Sequence, residues 1–263
     1  MGRRPRLVVV VAHPDDETFG CGSVLADAAA RGADCTVVCA TRGEGGEPAP
    51  GSGIAPEDLP RVRAGELADA ASVLGVSRVE LLGWRDSGFA GDVPDGALVA
   101  TPVDEVADVL CGLFAELRPD VIVTLDGSDG HRDHRHLRDA TLAAAATVAP
   151  AARVYLHCLP RSLMARWADE LRAAARGDAY LEVGQLGTPD SQVTTVVDVT
   201  VHLDVRERAI AAHRSQTSPF EVMPPDLRRA FLAVDRLRRV QPPWEGGPLE
   251  DSVLESDVAA LSR

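Results

Sequence analysis

The sequence predicts an α/β protein: a Rossmann-like three-layer α/β/α sandwich around a mainly parallel sheet, with a less regular C-terminal extension. Three observations carry this. Apolar runs of strand length alternate with stretches of helix length, the pattern of parallel βαβ units. The first of those runs is continuous rather than alternating, as in a strand covered on both faces. Charged and glycine-rich segments follow the strands, so polar chemistry collects at the carboxyl rim, where open α/β sheets bind ligands.

Residues 6–12, RLVVVVA, form the first strand, and 17–31 fit a helix closed by Gly32. ADCTVVCA at 33–40 is the second strand, followed by a long Gly/Pro-rich loop over 41–60 of the kind that is commonly functional. A helix over 61–75, a third strand over 78–83 and an irregular loop over 84–96 come next. VDEVADVLCGLF places apolar residues on one face of a helix over 102–117, and RPDVIVTLD (118–126) is the fourth strand. The loop 127–133 leads into a helix from His134 to Thr147, a fifth strand over 152–159 and an amphipathic helix over 161–175. TTVVDV (194–199) is a sixth strand, before a helix from Leu203 to Ser215. Beyond Thr217 the pattern weakens to a Pro-rich stretch, a short basic helix near 226–239 and an acidic tail. The division expected is one domain over 1–216, with 217–263 packing on it or trailing from it.

Among 263 residues, 27 are basic and 40 acidic, a net charge of −13. That balance argues against nucleic acid or an anionic membrane as partner, and no run approaches a membrane span. Five scattered cysteines without a CxxC pair read as buried apolar residues in a reducing compartment. A cytoplasmic protein acting on a small molecule is expected, with the oligomeric state open.

The chemistry concentrates in two motifs. His13 and Asp16 lie three apart at the end of the first strand, and His131-Arg132-Asp133-His134 follow the fourth. Alone, HPDD reads as a turn with a capping aspartate, and HRDH reads as a solvated loop. Both on one rim, each after a strand and before a helix, point to a divalent metal with an open position. Asp15 is then a spare carboxylate beside the ion. Gly20-x-Gly22 lacks the third glycine of a dinucleotide fingerprint and reads as helix packing. Two histidines and a carboxylate also describe the non-haem iron facial triad, against which the α/β pattern and the spare Asp15 both argue.

AHPDDE and GHRDH resemble the signature pair of the PIG-L/LmbE-like N-acetylglucosaminyl deacetylases. TRGEGGE (41–47), the spacing of Arg63, Glu66, Ala70 and Leu74-Gly75, Asp86-Ser87-Gly88 and His213-Arg214-Ser215-Gln216 extend the likeness over about residues 6–216. The resemblance implies an LmbE-like fold and a zinc hydrolase that removes an acyl group, usually acetyl, from an amino sugar, a glycoconjugate or a related metabolite. Ferrous iron is the other metal considered. It implies His13, Asp16 and His134 as metal ligands, Asp15 as general base and His131 as the histidine assisting the tetrahedral intermediate. Asp133 is implied to orient His131 and, as a neighbouring carboxylate, to raise its pKa. Arg63 and Asp86 match sugar-contacting positions, and Glu47 joins them as an expected substrate contact. One departure stands out: where some members carry a tyrosine, this chain has Asp129, which donates no hydrogen bond when ionised. The alternatives are an amidase acting on a thiol-cofactor conjugate or natural-product intermediate, and a metal-binding but catalytically silent member.

Overall fold

The computed structural model describes residues 3–174 and 179–254; of the acidic tail, 255–263 lie outside them. β1 (Arg6–Val11) is an interior strand of a seven-stranded sheet. The chain moves outward through α1 (Asp16–Phe19), α2 (Gly22–Ala30), β2 (Asp34–Cys39), α3 (Leu59–Leu74) and β3 (Arg78–Leu81). It then crosses back through α4 (Val103–Leu117) to β4 (Val121–Leu125), α5 (Arg132–Val148) and β5 (Arg153–His157). After α6 (Arg161–Ala173) come β6 (Thr195–Asp198), α7 (Leu203–Ile210), α8 (Pro225–Leu232) and β7 (Val234–Gln241). The spatial order is β3-β2-β1-β4-β5-β7-β6. β1 to β5 pair in parallel, whereas β7 runs antiparallel to both β5 and β6.

β1 pairs with β2 on one side and β4 on the other, so winding reverses between β1 and β4. Their loops diverge there and open a crevice. Alternate residues of β1 feed two cores: Leu7, Val9 and Val11 pack under α2, α3 and α7, while Val8 and Val10 pack under α4 and α5. This is why its valine run shows no polar alternation. A third apolar cluster, from α6, α8 and residues 210–223, lies apart from both. No helix among the described residues is long and apolar enough to cross a membrane.

Two expectations are corrected. The helix over 17–31 is two helices, broken at Gly20–Cys21. A Cβ on Gly20 would stand 2.7 Å from the Leu125 side chain, so this glycine lets the broken segment close on β4. The helix over 226–239 ends at Leu232, and 234–241 form a strand. VDRLRRVQ buries only Asp235 and Leu237, at period 2. Its arginines resemble a polar helix face until β5 and β6 supply hydrogen bonds.

Candidate metal centre

β1 delivers the chain directly to His13, whose backbone N–H donates to Asp16 Oδ2 at 2.8 Å. This folds the Asp16 carboxylate back over the strand end. Asp15 between them has φ 109, a left-handed conformation costing a non-glycine residue on the order of 1–3 kcal/mol. Two contacts hold it there. Its N–H donates to Glu17 Oε2 at 2.8 Å, and Arg63 Nη2 donates to its Oδ2 at 3.1 Å. Glu17 is fully buried and meets His213 Nε2 at 2.7 Å. The distant H-x-S-Q segment thus braces the first motif through Glu17.

The second motif forms the mouth of α5. His131 is the N-cap, and its Nδ1 accepts from the Asp133 backbone N–H at 3.2 Å. One turn on, His134 is buried with Nδ1 at 2.6 Å from Asp129 Oδ2. The other Asp129 oxygen accepts from the His131 N–H at 3.1 Å. Asp129, which donates no hydrogen bond when ionised, thus grips a candidate ligand. Such carboxylate–histidine pairs fix the ring orientation of metal ligands and raise their basicity. Sequence reasoning noticed Asp129 only as a missing donor; the contact arises because the Gly130 turn brings 129 and 134 together.

The three expected ligands converge. Asp16 Oδ2 lies 3.3 Å from His13 Nδ1 and 3.2 Å from His134 Nε2. Donors bound at about 2.0–2.1 Å in tetrahedral geometry stand roughly 3.3–3.4 Å apart, a spacing that both separations match. His134 Nε2 is buried and, beyond its ion-pair approach to Asp16, has no hydrogen-bond partner among the described residues. The residues fit a divalent cation. His131 also brings a ring nitrogen within 4.8 Å of His13 and His134, but its Nδ1 is already an acceptor. Burial pulls the pKa of His134 down, yet Asp129 and Asp16 outweigh it and hold it at about 10. His13 is likewise held well above the ordinary imidazole range, burial being outweighed by Asp86, Asp133 and Asp16. A cation entering here replaces those protons.

The expectation for Asp133 is corrected. Its Oδ2 meets His13 Nε2 at 3.1 Å and accepts from Ser87 N–H at 2.9 Å; the carboxylate orients His13, and only the backbone N–H of Asp133 meets His131. The predicted rise in the His131 pKa is also reversed. Burial, then the positive charge of His13 and His134, lowers it to about 4, and Asp133 does not compensate. Because Nδ1 accepts a backbone N–H, neutral His131 carries its proton on Nε2. Asp15 goes the other way, raised to about 6 by burial, with Arg63 opposing the rise.

The expected substrate contacts separate. Arg63 and Asp86 both line the cleft with Asp15 and His131. Arg63 is held by the protein, donating to Gly43 O at 2.7 Å as well as to Asp15. A Cβ on Gly46 would stand 2.7 Å from its Nη1, which explains a glycine in TRGEGGE. Asp86 accepts from Gly88 N–H at 2.7 Å and Gly45 N–H at 3.1 Å. Burial pushes its pKa up, but His13, the Gly88 N–H and His131 together outweigh that and hold it below the usual carboxylate value. Glu47 is exposed and outside the cleft wall, whose place is taken there by Gly45 and Gly46. Arg132, unremarked in the sequence, clasps the 84–96 loop through Gly88 O at 2.7 Å and Gly91 O at 3.0 Å. This seats Phe89 against His131, ring centroids 5.6 Å apart.

Three similarities bear on this arrangement. A 1D-myo-inositol 2-acetamido-2-deoxy-alpha-D-glucopyranoside deacetylase from Saccharopolyspora erythraea is 39% identical, covering 81% of this chain and 78% of its own. The N,N'-diacetylchitobiose deacetylase of Pyrococcus horikoshii superposes with a TM-score of 0.56 at 18% identity, covering 90% of this chain and 84% of its own. A 4-carboxy-2-hydroxymuconate hydratase, GalB of Pseudomonas putida KT2440, reaches a TM-score of 0.63, also at 18% identity, covering 92% and 99%. At such identities the two structures speak for the fold alone, and that fold carries more than one reaction. The family description "PIG-L: GlcNAc-PI de-N-acetylase" matches residues 8–145, a span that holds both motifs. With that match and the Saccharopolyspora relative, the chain belongs to the PIG-L de-N-acetylase family.

Proposed function

We propose that the protein is a metal-dependent amide hydrolase that removes the N-acyl group, acetyl in the first instance, from a glucosaminyl inositol or a closely similar amino-sugar conjugate. The observation that carries this reading is the meeting of His13, Asp16 and His134 beside a strained, cleft-lining Asp15. The substrate is taken from the printed name of the Saccharopolyspora relative.

His13, Asp16 and His134 would hold the cation, zinc on the strength of two imidazoles and a carboxylate. Such an ion supplies a Lewis acid for the amide carbonyl and lowers the pKa of water. Asp15 takes the proton of the attacking water, and its raised pKa suits a base working near neutrality. The carbon–nitrogen bond then breaks, and Asp15 returns the proton to the leaving amine. His131 offers Nε2–H to the negative charge developing on the carbonyl oxygen. It does so as a neutral donor, since Nδ1 is occupied. Asp133 and Asp129 act through the rings of His13 and His134. Arg63 holds Asp15 in place and Asp86 shapes the sugar side of the cleft.

The test is mass-spectrometric detection of free amine and acetate from the glucosaminyl inositol conjugate, using purified zinc-loaded protein and Asp15→Asn. The wild type should release both in equal amounts and the variant almost none. Zinc-loaded wild type that leaves this conjugate and a panel of N-acetyl amino sugars untouched would make the protein a silent family member.

A further inference from the structure

Next to the cleft lies a second cavity of about 150 Å³. Asp16 and His134, two of the candidate ligands, line both, as do Phe19, Trp167, Tyr180 and Pro219. The two spaces differ in chemistry. The cleft's far wall is polar, made by Arg63, Asp86 and the backbone of Gly45 and Gly46. The second cavity is lined by Leu125, Leu163, Met164, Phe220, Met223 and Phe231. Charged residues reach its wall, but their charges are engaged elsewhere. Arg206 pairs with Asp235 at 2.9 Å, Asp126 binds Ser128 Oγ at 2.7 Å, and Arg236 donates to Ala230 O at 2.9 Å. His157 Nδ1, also on this wall, has no partner among the described residues.

An amide placed with its carbonyl carbon between Asp15 and the Asp16–His134 pair has one substituent on each side. A sugar bearing hydroxyls belongs against Arg63 and Asp86. The acyl substituent then points the other way, toward the apolar chamber. Acetyl ends in a single methyl and would leave that space unfilled. An apolar cavity of about this size holds a benzene-sized group.

We infer that the apolar chamber is the acyl site and that the enzyme hydrolyses amides of medium-length apolar acyl groups, hexanoyl or phenylacetyl in size, faster than acetyl amides. This rests on the amide-hydrolase reading above and names its acyl specificity. The reaction is the same hydrolysis: water's oxygen joins the acyl carbon, the carbon–nitrogen bond breaks, and the proton held by Asp15 leaves on the amine. The products are hexanoate and the free amino sugar. The driving force is burial of the chain, about fourfold per methylene if the transfer is complete.

The experiment compares kcat/KM of the zinc-loaded full chain on one glucosaminyl inositol amine carrying acetyl, butanoyl, hexanoyl or decanoyl. Hexanoyl should exceed acetyl at least tenfold, and decanoyl, too long for the chamber, should fall back. Leu163→Trp, which fills the chamber, should bring hexanoyl turnover down to the acetyl level while one zinc per chain is still bound. If that variant does not fold, Leu163→Phe serves in its place. Acetyl turnover equal to or above hexanoyl turnover overturns the proposal and leaves the hydrolase reading intact. If no amide in the series is cleaved, the hydrolase reading fails, and binding of the free acids decides the chamber. Quenching of tryptophan fluorescence by hexanoate at tenfold lower concentration than by acetate supports it, since Trp167 lines the chamber; equal concentrations overturn it.

Discussion

Arg206 and Arg63 each send a guanidinium into the protein to meet an aspartate, Asp235 at 2.9 Å in one case and Asp15 at 3.1 Å in the other. Every guanidinium nitrogen of Arg206 is bonded. Its Nε donates to Thr18 O, Nη1 to Ser23 Oγ, and Nη2 to Phe19 O. The Asp235 side chain is 0% exposed. Arg63 leaves Nε without a partner among the described residues, and Asp15 keeps 15% of its side chain exposed, in the wall of the cleft. Both pairs offset the desolvation of a buried charge. Only the second leaves a carboxylate able to meet a water. Asp235 Oδ2 also lacks a partner among the described residues, yet it is sealed inside; a buried ion pair stays structural when no oxygen reaches open space and becomes chemical when one does.

Asp15→Asn should therefore act on rate alone. The amide keeps the shape but cannot take a proton, so kcat should fall by about 10²–10⁴-fold. Melting temperature and metal content should stay at wild-type values; a variant that also melts early would make Asp15 as structural as Asp235. Arg206→Ala should do the reverse. Stranding Asp235 in the interior should cost about 3–5 kcal/mol, read by urea unfolding, while any protein that folds should still bind metal.

Asp129→Ala falls between these extremes, since it leaves the ligands in place but frees the ring of His134. Zinc affinity, measured by competition with a chelating dye, should weaken by about 10–100-fold. Asp129→Asn, whose amide oxygen can still accept from Nδ1–H, should recover much of that loss. Equal affinity in all three proteins would mean that Asp129 does not position the ligand.

The smallest expected effect concerns acid. Burial pushes the Asp235 pKa up, but Arg206 and His157 together hold it below the usual carboxylate value. Its contribution to stability is present above the unfolded pKa of about 3.9 and is lost as pH falls through the lower folded value. Asp235→Asn should lack that part of the acid slope, at most about 1.4 kcal/mol per pH unit. Parallel stability–pH curves for the two proteins below pH 4 would show that Asp235 does not hold the depressed pKa.

The candidate site was legible in the sequence because its parts are local. His13 and Asp16, and again His131 and His134, stand three apart at strand ends, and alternating strands and helices bring such ends to one rim. The main parallel sheet was readable for the same reason, each strand being a short apolar run with its own helix. The partners of those residues were not readable. Asp133 meets His13 across 120 residues, a contact that exists only because β1 and β4 are neighbours in the sheet. Asp129 grips His134 through a turn whose shape depends on positive φ at Gly127 and Gly130. β7 carries too many arginines to announce itself as a strand, and its edges are satisfied only by β5 and β6. The apolar chamber is assembled from α1, β4, α6, α8 and the 219–223 segment, which no window of sequence contains. Residue type and spacing determined which atoms could bind a metal and take a proton. Packing decided which way each imidazole faces, what holds Asp15 in its strained turn and how much room lies beside it, because hydrogen bonds and cavities belong to neighbours in space.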